Sequence, residues 1–358
     1  MHESPFDAAS AYYRSLSRED RDRLPRYAVL ISALAESQVA CRLLGEAPPQ
    51  QRNPMLVLAA LHFAARAGDE VLAPLYATIA TIEPTIFAVS VVERLEMMPS
   101  LVRDQLHRMT QTNEPGRSAV LVSVLRELRA RGVRDVHLID VGTSMGLNLY
   151  PDFHRINEPD TRDPATLRTE YLTPRGVEGD PAIIHQRIGI DPNPLSPDSI
   201  DDVRWLEACL WPEEPARIQR LHALVEAMRT WPPATRLAGT GIERIDEALA
   251  LCAPGATPVI FHSWVAAYFS ISEQARWRER ALAHVTEGAA WVFLEHPDYV
   301  RGMAPPRDHA SSPRPGGSQV VVAEPFNEPA SWGWAHPHGR WIALTPPSKH
   351  DAPRTVGE

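Results

Sequence analysis

The chain is 358 residues long, which is more than one hydrophobic core usually holds, so its length predicts one large domain and one smaller domain. Apolar residues make up 44% and charged residues 23%, a balance typical of folded proteins and unlike that of disordered ones. The 36 basic and 45 acidic side chains give a net charge of −9, and no run of Lys or Arg marks a polyanion-binding face. Nucleic acid is therefore not an expected partner.

The start of the chain and its cysteines bear on the compartment. No basic stretch followed by an apolar one opens the sequence, and nowhere do about 18 consecutive apolar residues occur. We therefore expect neither secretion nor a membrane span. Three cysteines lie far apart and cannot form a closed disulfide framework, which favours a reduced cytoplasm. Nothing in the sequence indicates the oligomeric state.

The pattern is helical up to about residue 130, with apolar residues at i, i+3, i+4 and i+7. Gly45 and Gly68 are predicted to end helices, and an all-helical domain is predicted over 1–110. A further helix, capped by Thr112 or Asn113, is predicted to run from about Pro115 to Arg131. The clearest helical windows are 11–17, 26–45 and 54–68.

Strands and helices alternate after residue 131, which predicts right-handed βαβ units and a mostly parallel sheet with helices on both faces. This α/β domain is predicted over 111–358, with an irregular insertion at 150–186 and a surface loop at 305–317. Segments 318–326 and 339–347 are predicted to pair antiparallel at one edge. The strands are predicted at 136–142, 187–192, 235–239, 258–264 and 289–297, and the helices between them at 201–211, 214–231, 242–252 and 272–285.

A glycine loop follows the first predicted strand and is predicted to open a helix, whose positive end favours an anionic or carboxylate-bearing ligand. Its G-x-x-x-G spacing is not the G-x-G-x-x-G of dinucleotide folds, because Ser144 would have to be glycine. An acid before G-x-x-x-G-x-N resembles the first motif of class I S-adenosylmethionine (SAM) methyltransferases. The predicted SAM contacts are Asp140, Gly142, Thr143, Ser144, Gly146 and Asn148. The alternative is a tight turn in which Asp140 satisfies loop amides.

Asp191 and Asn193 follow the second predicted strand, where an acid can accept hydrogen bonds from both ribose hydroxyls. The alternative is a proline-locked turn that Asp191 caps. Methyltransferases often carry an adenine-binding acid at the end of the third strand, and this chain has Ala238-Gly239-Thr240-Gly241 there. The expected acid is missing.

Four ordered motifs resemble a bacterial family, domain of unknown function 2332. They are TQTNEPGR, DVGTSMGLNL, GIDPNPL followed by DDVRWLEACLWPEE, and VIFHSWVAAYF. The resemblance covers most of the chain and implies a class I SAM-methyltransferase-like (Rossmann-like) fold with a helical N-terminal extension. It brings no settled activity.

The segment TQTNEPGR lies over the cofactor in the methyltransferase arrangement that this resemblance implies. Gln111 would then belong to the cofactor site, Asn113 and Glu114 could hold the amino group of SAM, and Arg117 its carboxylate through a forked hydrogen bond. The alternative is a capping box with a surface ion pair.

Catalytic candidates lie at the carboxyl ends of strands, where ligands of open α/β sheets bind. They are His262, Tyr268 and Glu295, with His262 as a possible general base because its ordinary pKa lies near neutrality. The alternatives are that His262 orients a loop and Glu295 caps one. No metal is expected, since His309 and the histidines at 336 and 338 lack the spacing of zinc sites.

Methyl transfer from SAM to a small metabolite or natural-product intermediate is the leading prediction. A SAM cyclase that forms azetidine-2-carboxylate and methylthioadenosine, and a ligand-binding or scaffold protein without catalysis, stay open. A serine hydrolase is a further alternative, because Gly142 to Gly146 spell G-x-S-x-G. Its triad would be Ser144, Asp246 and either His262 or His296.

Overall fold

The computed structural model describes residues 11, 13–14, 23–157, 163–173, 179–303 and 311–347. Parts of the predicted segments 11–17, 150–186 and 305–317, and the whole of His309, lie outside these residues. The chain divides into two compact units: unit 1 comprises 1–112 with 196–226, and unit 2 comprises 113–195 with 227–358. The division differs from the predicted one, because residues 196–226 were assigned to the α/β domain.

Unit 1 consists of helices and turns in its described part. The buried side chains of α1 and α5, among them Leu30, Leu34, Phe87 and Val91, form much of its core. Its helices are α1 (Pro25–Glu36), α2 (Gln38–Glu46), α3 (Pro54–Arg66), α4 (Leu72–Ala77), α5 (Pro84–Met97) and α6 (Ser100–Arg103), and, after α7 (Ser118–Ala130) of unit 2, α8 (Ile200–Ala208) and α9 (Pro215–Met228), the end of which belongs to unit 2.

Ser37 divides the predicted helical window 26–45 into α1 and α2. Its backbone is extended, with φ −78° and ψ 117°, and its side chain accepts a hydrogen bond from the Ala40 amide at the start of α2. Gly45 lies inside α2, so the predicted stop there is wrong. Gly68 follows Ala67, the residue that caps the end of α3, and has a φ of +95°, which confirms the stop predicted at that position.

Among the residues that the structure describes, no single helix is long and apolar enough to cross a bilayer. Helices α1 and α2 together have the length and apolar composition of a membrane span, but they meet at an angle of 84°.

Unit 2 contains a nine-stranded sheet in its described part, and the sheet is mostly parallel, as predicted. The strands are β1 (Asp135–Val141), β2 (Glu170–Tyr171), β3 (Ile183–Asp191), β4 (Thr235–Ala238), β5 (Thr257–Ser263), β6 (Ala290–Glu295), β7 (Ser318–Ala323), β8 (Ala330–Ala335) and β9 (Trp341–Leu344). Across the sheet they follow the order β2-β9-β8-β7-β6-β5-β1-β3-β4. The five neighbouring strands β4, β3, β1, β5 and β6 are parallel and have the doubly wound order, which reverses between β1 and β5.

Two predictions about the sheet edge are wrong. Segments 318–326 and 339–347 do not pair, because β8 lies between β7 and β9 and is antiparallel to both. The segment 150–186 is not wholly irregular, since β2 pairs with β9 and β3 already begins at Ile183.

One face of the sheet packs against helices. These are α10 (Gly241–Ala250), α11 (Ile271–Thr286) and α12 (Pro297–Met303), which bury Ile139 and Val141 of β1 with Ile188 and Ile190 of β3. On β3, the alternate residues Arg187, Gly189 and Asp191 instead contact residues between 143 and 152. An irregular segment therefore covers this part of the second face, where the prediction placed a helix.

The helix predicted to follow the glycine loop does not form. The loop leads only into a 3₁₀ turn, Leu147–Leu149. Pro151 follows it, and a proline disfavours helical geometry in the residue before it, here Tyr150 with φ −119° and ψ 46°. Asp152 then pairs with Arg187 of β3 at 2.6 Å, which holds the segment against the sheet.

Candidate functional site

Polar side chains gather at the carboxyl ends of four parallel strands in unit 2. Asp140 is the last but one residue of β1, and Asp191, Ser263 and Glu295 end β3, β5 and β6. All four are buried. The strand order reverses between β1 and β5, and ligands of open α/β sheets bind beside such a reversal.

The glycine loop has a tight backbone with three residues at positive φ. These are Gly142 at +77°, Ser144 at +54° and Gly146 at +92°. A Cβ atom on Gly142 would stand 2.3 Å from Cγ2 of Val265, which lies beyond the end of β5. Glycine is required there by both backbone conformation and close approach.

The backbone amides of this loop are largely used inside the protein. Such amides are not available as a nest for a phosphate, and no α-helix lies behind the loop to add a dipole. The loop therefore lacks the helix dipole and most of the free amides on which the predicted preference for an anionic ligand depended. Gly142 and Thr143 donate to the Ile190 carbonyl (2.8 and 3.1 Å), Ser144 to Asp191 Oδ2 (2.8 Å), Gly146 to the Thr143 carbonyl (2.8 Å) and Leu147 to Asn113 Oδ1 (2.9 Å).

Asp191 holds the glycine loop and its own turn. Oδ2 accepts from the Ser144 amide at 2.8 Å, and Oδ1 accepts from the Asn193 amide at 2.8 Å. Burial raises the pKa of the carboxyl, and the two amide hydrogen bonds oppose that rise. These contacts are those of the capped turn considered above, although an ionised carboxylate can accept about four hydrogen bonds.

Asp140 is buried at the end of β1, and its Oδ2 has no hydrogen-bond partner among the described residues. Burial raises the pKa of this carboxyl to about 7. The nearby Thr143 hydroxyl and the Arg117 guanidinium lower it, whereas Asp191 raises it further. Asp140 therefore does not satisfy loop amides as the alternative required, and its Oδ2, like Oε2 of Glu295, is a buried oxygen without a hydrogen-bond partner among the described residues.

Arg117 reaches the same edge from the turn before α7. Its Nη1 donates to the Ser263 carbonyl (3.1 Å) and hydroxyl (3.2 Å), and its Nε donates to the Pro337 carbonyl (2.9 Å). Burial lowers the pKa of the guanidinium, and Glu114 and Glu295 are the strongest opposing influences. A surface ion pair, the alternative for this segment, does not describe a residue that is 6% exposed.

The other predicted residues of this segment have structural partners. Glu114, not Thr112 or Asn113, caps the 3₁₀ turn that precedes α7, by accepting from the Gly116 amide at 3.2 Å. Asn113 accepts from the Leu147 amide, so its side-chain oxygen binds the glycine loop. Gln111 belongs to unit 1, where its backbone amide donates to Cys209 Sγ at 3.5 Å. It is therefore not among the residues that unit 2 brings together.

Asn148, the last residue of the predicted loop motif, is also held from this segment. The Ser118 hydroxyl, at the first residue of α7, donates to Asn148 Oδ1 at 3.0 Å. Because both side chains are buried, the bond ties the 3₁₀ turn to the start of that helix.

His262 and Glu295 form a buried pair that orients a turn. Glu295 Oε1 lies 2.9 Å from His262 Nδ1 and accepts from the amides of Val265 (2.9 Å) and Ala266 (3.3 Å). The Trp277 indole donates to His262 Nε2 at 3.2 Å, which assigns the imidazole proton to Nδ1. Both nitrogens of His262 are thus engaged, and the geometry favours the orienting role for both residues over general-base catalysis.

The turn that Glu295 holds carries backbone strain. Trp264 has a φ of +58°, its amide donates to the Leu294 carbonyl at 3.0 Å, and its indole donates to the Ser318 hydroxyl at 3.0 Å. The next residue, Val265, faces Gly142. Tyr268, the third catalytic candidate, follows in a 3₁₀ turn and is 45% exposed.

The serine hydrolase triad does not assemble. Asp246 binds Arg280 and, at 3.0 Å, His284. His262 presents Nε2 to Trp277, whereas a triad needs that nitrogen on the serine. His296 accepts from the Asp298 amide through Nδ1 at 3.3 Å.

Several contacts at this edge could not be predicted from the sequence. Val265, Ser263 and Pro337 were not predicted as partners of the glycine loop or of Arg117. The predicted strand 258–264 was a partial signal for Val265, because the residues that follow a parallel strand lie at the carboxyl edge of the sheet. In the residues that the structure describes, no group of three or more His, Cys, Asp or Glu side chains could hold a metal ion.

Comparison with known proteins identifies a family and no activity. No curated protein matches the chain. The family described as uncharacterized protein conserved in bacteria (DUF2332) matches residues 10–343. Because that match spans most of the sequence, the chain belongs to this bacterial family.

Proposed function

We propose that the chain binds SAM at the carboxyl edge of β1 and β3 and transfers its methyl group to a small metabolite or natural-product intermediate. The observation that carries the proposal is the buried Asp140, whose Oδ2 has no partner within the described chain, near the buried Arg117. An acid and a guanidinium complement the ammonium and the carboxylate of an amino acid. SAM ends in such a group.

The same edge is unsuited to a phosphate. The loop amides that cradle phosphates in dinucleotide folds are used internally, and the loop is not followed by an α-helix. Buried carboxyls at the ends of β1, β3 and β6 would repel an anion. Of the common adenosine-containing cofactors, SAM has no phosphate and carries a positive sulfonium.

Asp191 is the residue to which we assign the ribose of SAM. Its two oxygens each accept one amide hydrogen bond and can each accept a second, from a ribose hydroxyl. We assign no adenine contact to the end of β4, because Thr240 there caps α10 through a reciprocal pair of hydrogen bonds with Glu243.

Bound SAM would supply an electrophilic methyl group, and its transfer is an in-line displacement in which alignment provides much of the catalysis. The protein would then hold the glycine loop in position. Asp191 and Asn113 bind its amides, and the turn after β5 places Val265 against Gly142. His262 and Glu295 keep that turn in place. Tyr268 is the exposed catalytic candidate at this edge.

Calorimetric titration with SAM, S-adenosylhomocysteine and NADH tests the proposal. We expect the wild-type protein to bind both adenosyl ligands and not NADH. Gly142→Arg should abolish binding, because the side chain collides with Val265. The matched control is Gly132→Arg, at a φ of +109° with no atom within 4 Å of the added Cβ, which should bind normally. Unchanged SAM affinity in a folded Gly142→Arg protein contradicts the proposal.

Incubation with SAM alone separates the remaining activities. Release of methylthioadenosine would favour the cyclase chemistry over methyl transfer. Binding without turnover directs the search to a methyl acceptor, and absence of SAM binding favours the scaffold alternative.

A further inference from the structure

We propose that Asp140 gives up a proton when the positively charged amino group of the ligand binds beside it, so that loading of the site is tied to pH near neutrality. This inference rests on the proposed function and adds to it a regulation of the same site. It also moves the ammonium contact from Asn113 and Glu114, where the family resemblance put it, to Asp140.

The position of Asp140 carries the first step. Its side chain is 2% exposed, and Oδ2 has no hydrogen-bond partner within the residues that the structure describes. A buried carboxylate without a partner has a high free energy, and taking up a proton is the usual response. In the ligand-free protein, the neutral form of Asp140 is therefore more favoured than it is in an exposed aspartate.

The surroundings of Asp140 act in the same direction on balance. From β3, Asp191 repels a negative charge on it, whereas Arg117 and the Thr143 hydroxyl favour that charge. On β5, the residue paired in register with Asp140 is Phe261, which is uncharged. Burial dominates these influences and places the pKa of Asp140 at about 7.

A ligand ammonium changes this balance. It supplies the missing partner for Oδ2 and stabilises the ionised form, so the carboxyl O–H bond breaks and its proton leaves to the buffer. With a pKa of about 7, roughly half a proton should be released per ligand bound at pH 7. The apparent affinity should rise roughly fifteenfold between pH 5.5 and pH 7, a range in which a ligand α-amino group stays mostly protonated.

Calorimetry in buffers of different ionisation enthalpy measures this proton directly. The wild-type protein is titrated with SAM at pH 7 in phosphate, in HEPES and in Tris, and the slope of the observed enthalpy gives the protons released. The same series is run on Asp140→Asn, which keeps the shape of the side chain and cannot ionise. The matched control, Asp246→Asn, removes an acid of the same unit that lies on the surface beside Arg280 and His284.

Proton release that is present in the wild-type protein and in Asp246→Asn, and is absent from Asp140→Asn, supports the inference. Release of less than about a tenth of a proton by the wild-type protein, or equal release by Asp140→Asn, overturns it while leaving SAM binding intact. Absence of SAM binding at every pH overturns the proposed function itself. The wild-type buffer series needs no variant, so a lack of proton release overturns the inference even if Asp140→Asn does not fold.

Discussion

Replacing Asp140 by Asn should change how the stability of the protein depends on pH. Burial raises the pKa of Asp140 from an ordinary 3.8 to about 7, so the folded state binds its proton more tightly than the unfolded state. The resulting cost to folding is absent below about pH 4, grows as pH rises, and reaches its full size above about pH 7. Asn at this position carries no such cost at any pH.

The size of the effect follows from the two pKa values. One pKa unit corresponds to about 1.4 kcal/mol, so the cost to the wild-type protein is about 4 kcal/mol above pH 8 and somewhat under 2 kcal/mol at pH 5. The free energy of unfolding of Asp140→Asn should therefore gain about 3 kcal/mol on that of the wild-type protein between pH 5 and pH 8. A fixed difference in packing between Asp and Asn cancels from this comparison.

Urea unfolding, followed by circular dichroism at pH 5, 6.5 and 8, measures the two stability curves. We expect the two curves to diverge as pH rises. The free energy of unfolding of Asp140→Asn, minus that of the wild-type protein, should be larger at pH 8 than at pH 5. Curves that stay parallel over this range would show that Asp140 ionises normally in the folded state. The description of Asp140 as a buried carboxyl whose Oδ2 has no hydrogen-bond partner among the described residues would then be wrong.

Three further substitutions test other parts of the fold. His154 is buried with no partner for either ring nitrogen among the described residues, and burial lowers its pKa to about 3. Because only the unfolded state takes up a proton below pH 6.5, His154→Phe should gain about 3 kcal/mol in unfolding free energy over the wild type between pH 7 and pH 4.5, measured with urea. Gly142→Ala should lower the melting temperature more than Gly132→Ala, and adding Val265→Ala should restore part of the loss. Glu295→Ala should cost about 2 to 4 kcal/mol in urea unfolding, because the amides of Val265 and Ala266 lose their acceptor.

Each of these has an outcome that contradicts it. If the difference in unfolding free energy between His154→Phe and the wild type stayed constant from pH 7 to pH 4.5, His154 would have to take up its proton in the folded state as well. Equal losses for Gly142→Ala and Gly132→Ala would show that the close approach of Val265 does not matter. A Glu295→Ala protein as stable as Asp298→Ala, an exposed neighbour used as control, would remove the orienting role.

The alternation of strands and helices after residue 131 predicted much of unit 2. Periodicity indicates which segments form strands, and short βαβ connections then leave few orders for a parallel sheet. The missing helix after β1 had a local signal, because Pro151 follows the loop within five residues of Gly146. β8 was missed since its sequence, ASWGWA, contains Gly333 and neighbours Pro329, both unfavourable in strands.

The sequence predicted that the acids lie at strand ends, but it did not predict their contacts. The acids at residues 140, 191 and 295 were expected at one edge because parallel strands end there together. Which atoms they bind depends on contacts between distant parts of the chain, such as Arg117 with Pro337, and no local pattern carries that information. The membership of α8 in unit 1 is likewise a matter of distant packing.

A crystal structure of the protein grown with S-adenosylhomocysteine tests the central claim most directly. The account predicts electron density for the ligand at the carboxyl ends of β1 and β3, with its amino group on Asp140, its carboxylate towards Arg117 and its ribose on Asp191. Density for the ligand elsewhere on the chain, or an empty edge in crystals soaked at a concentration that saturates binding in solution, would contradict it.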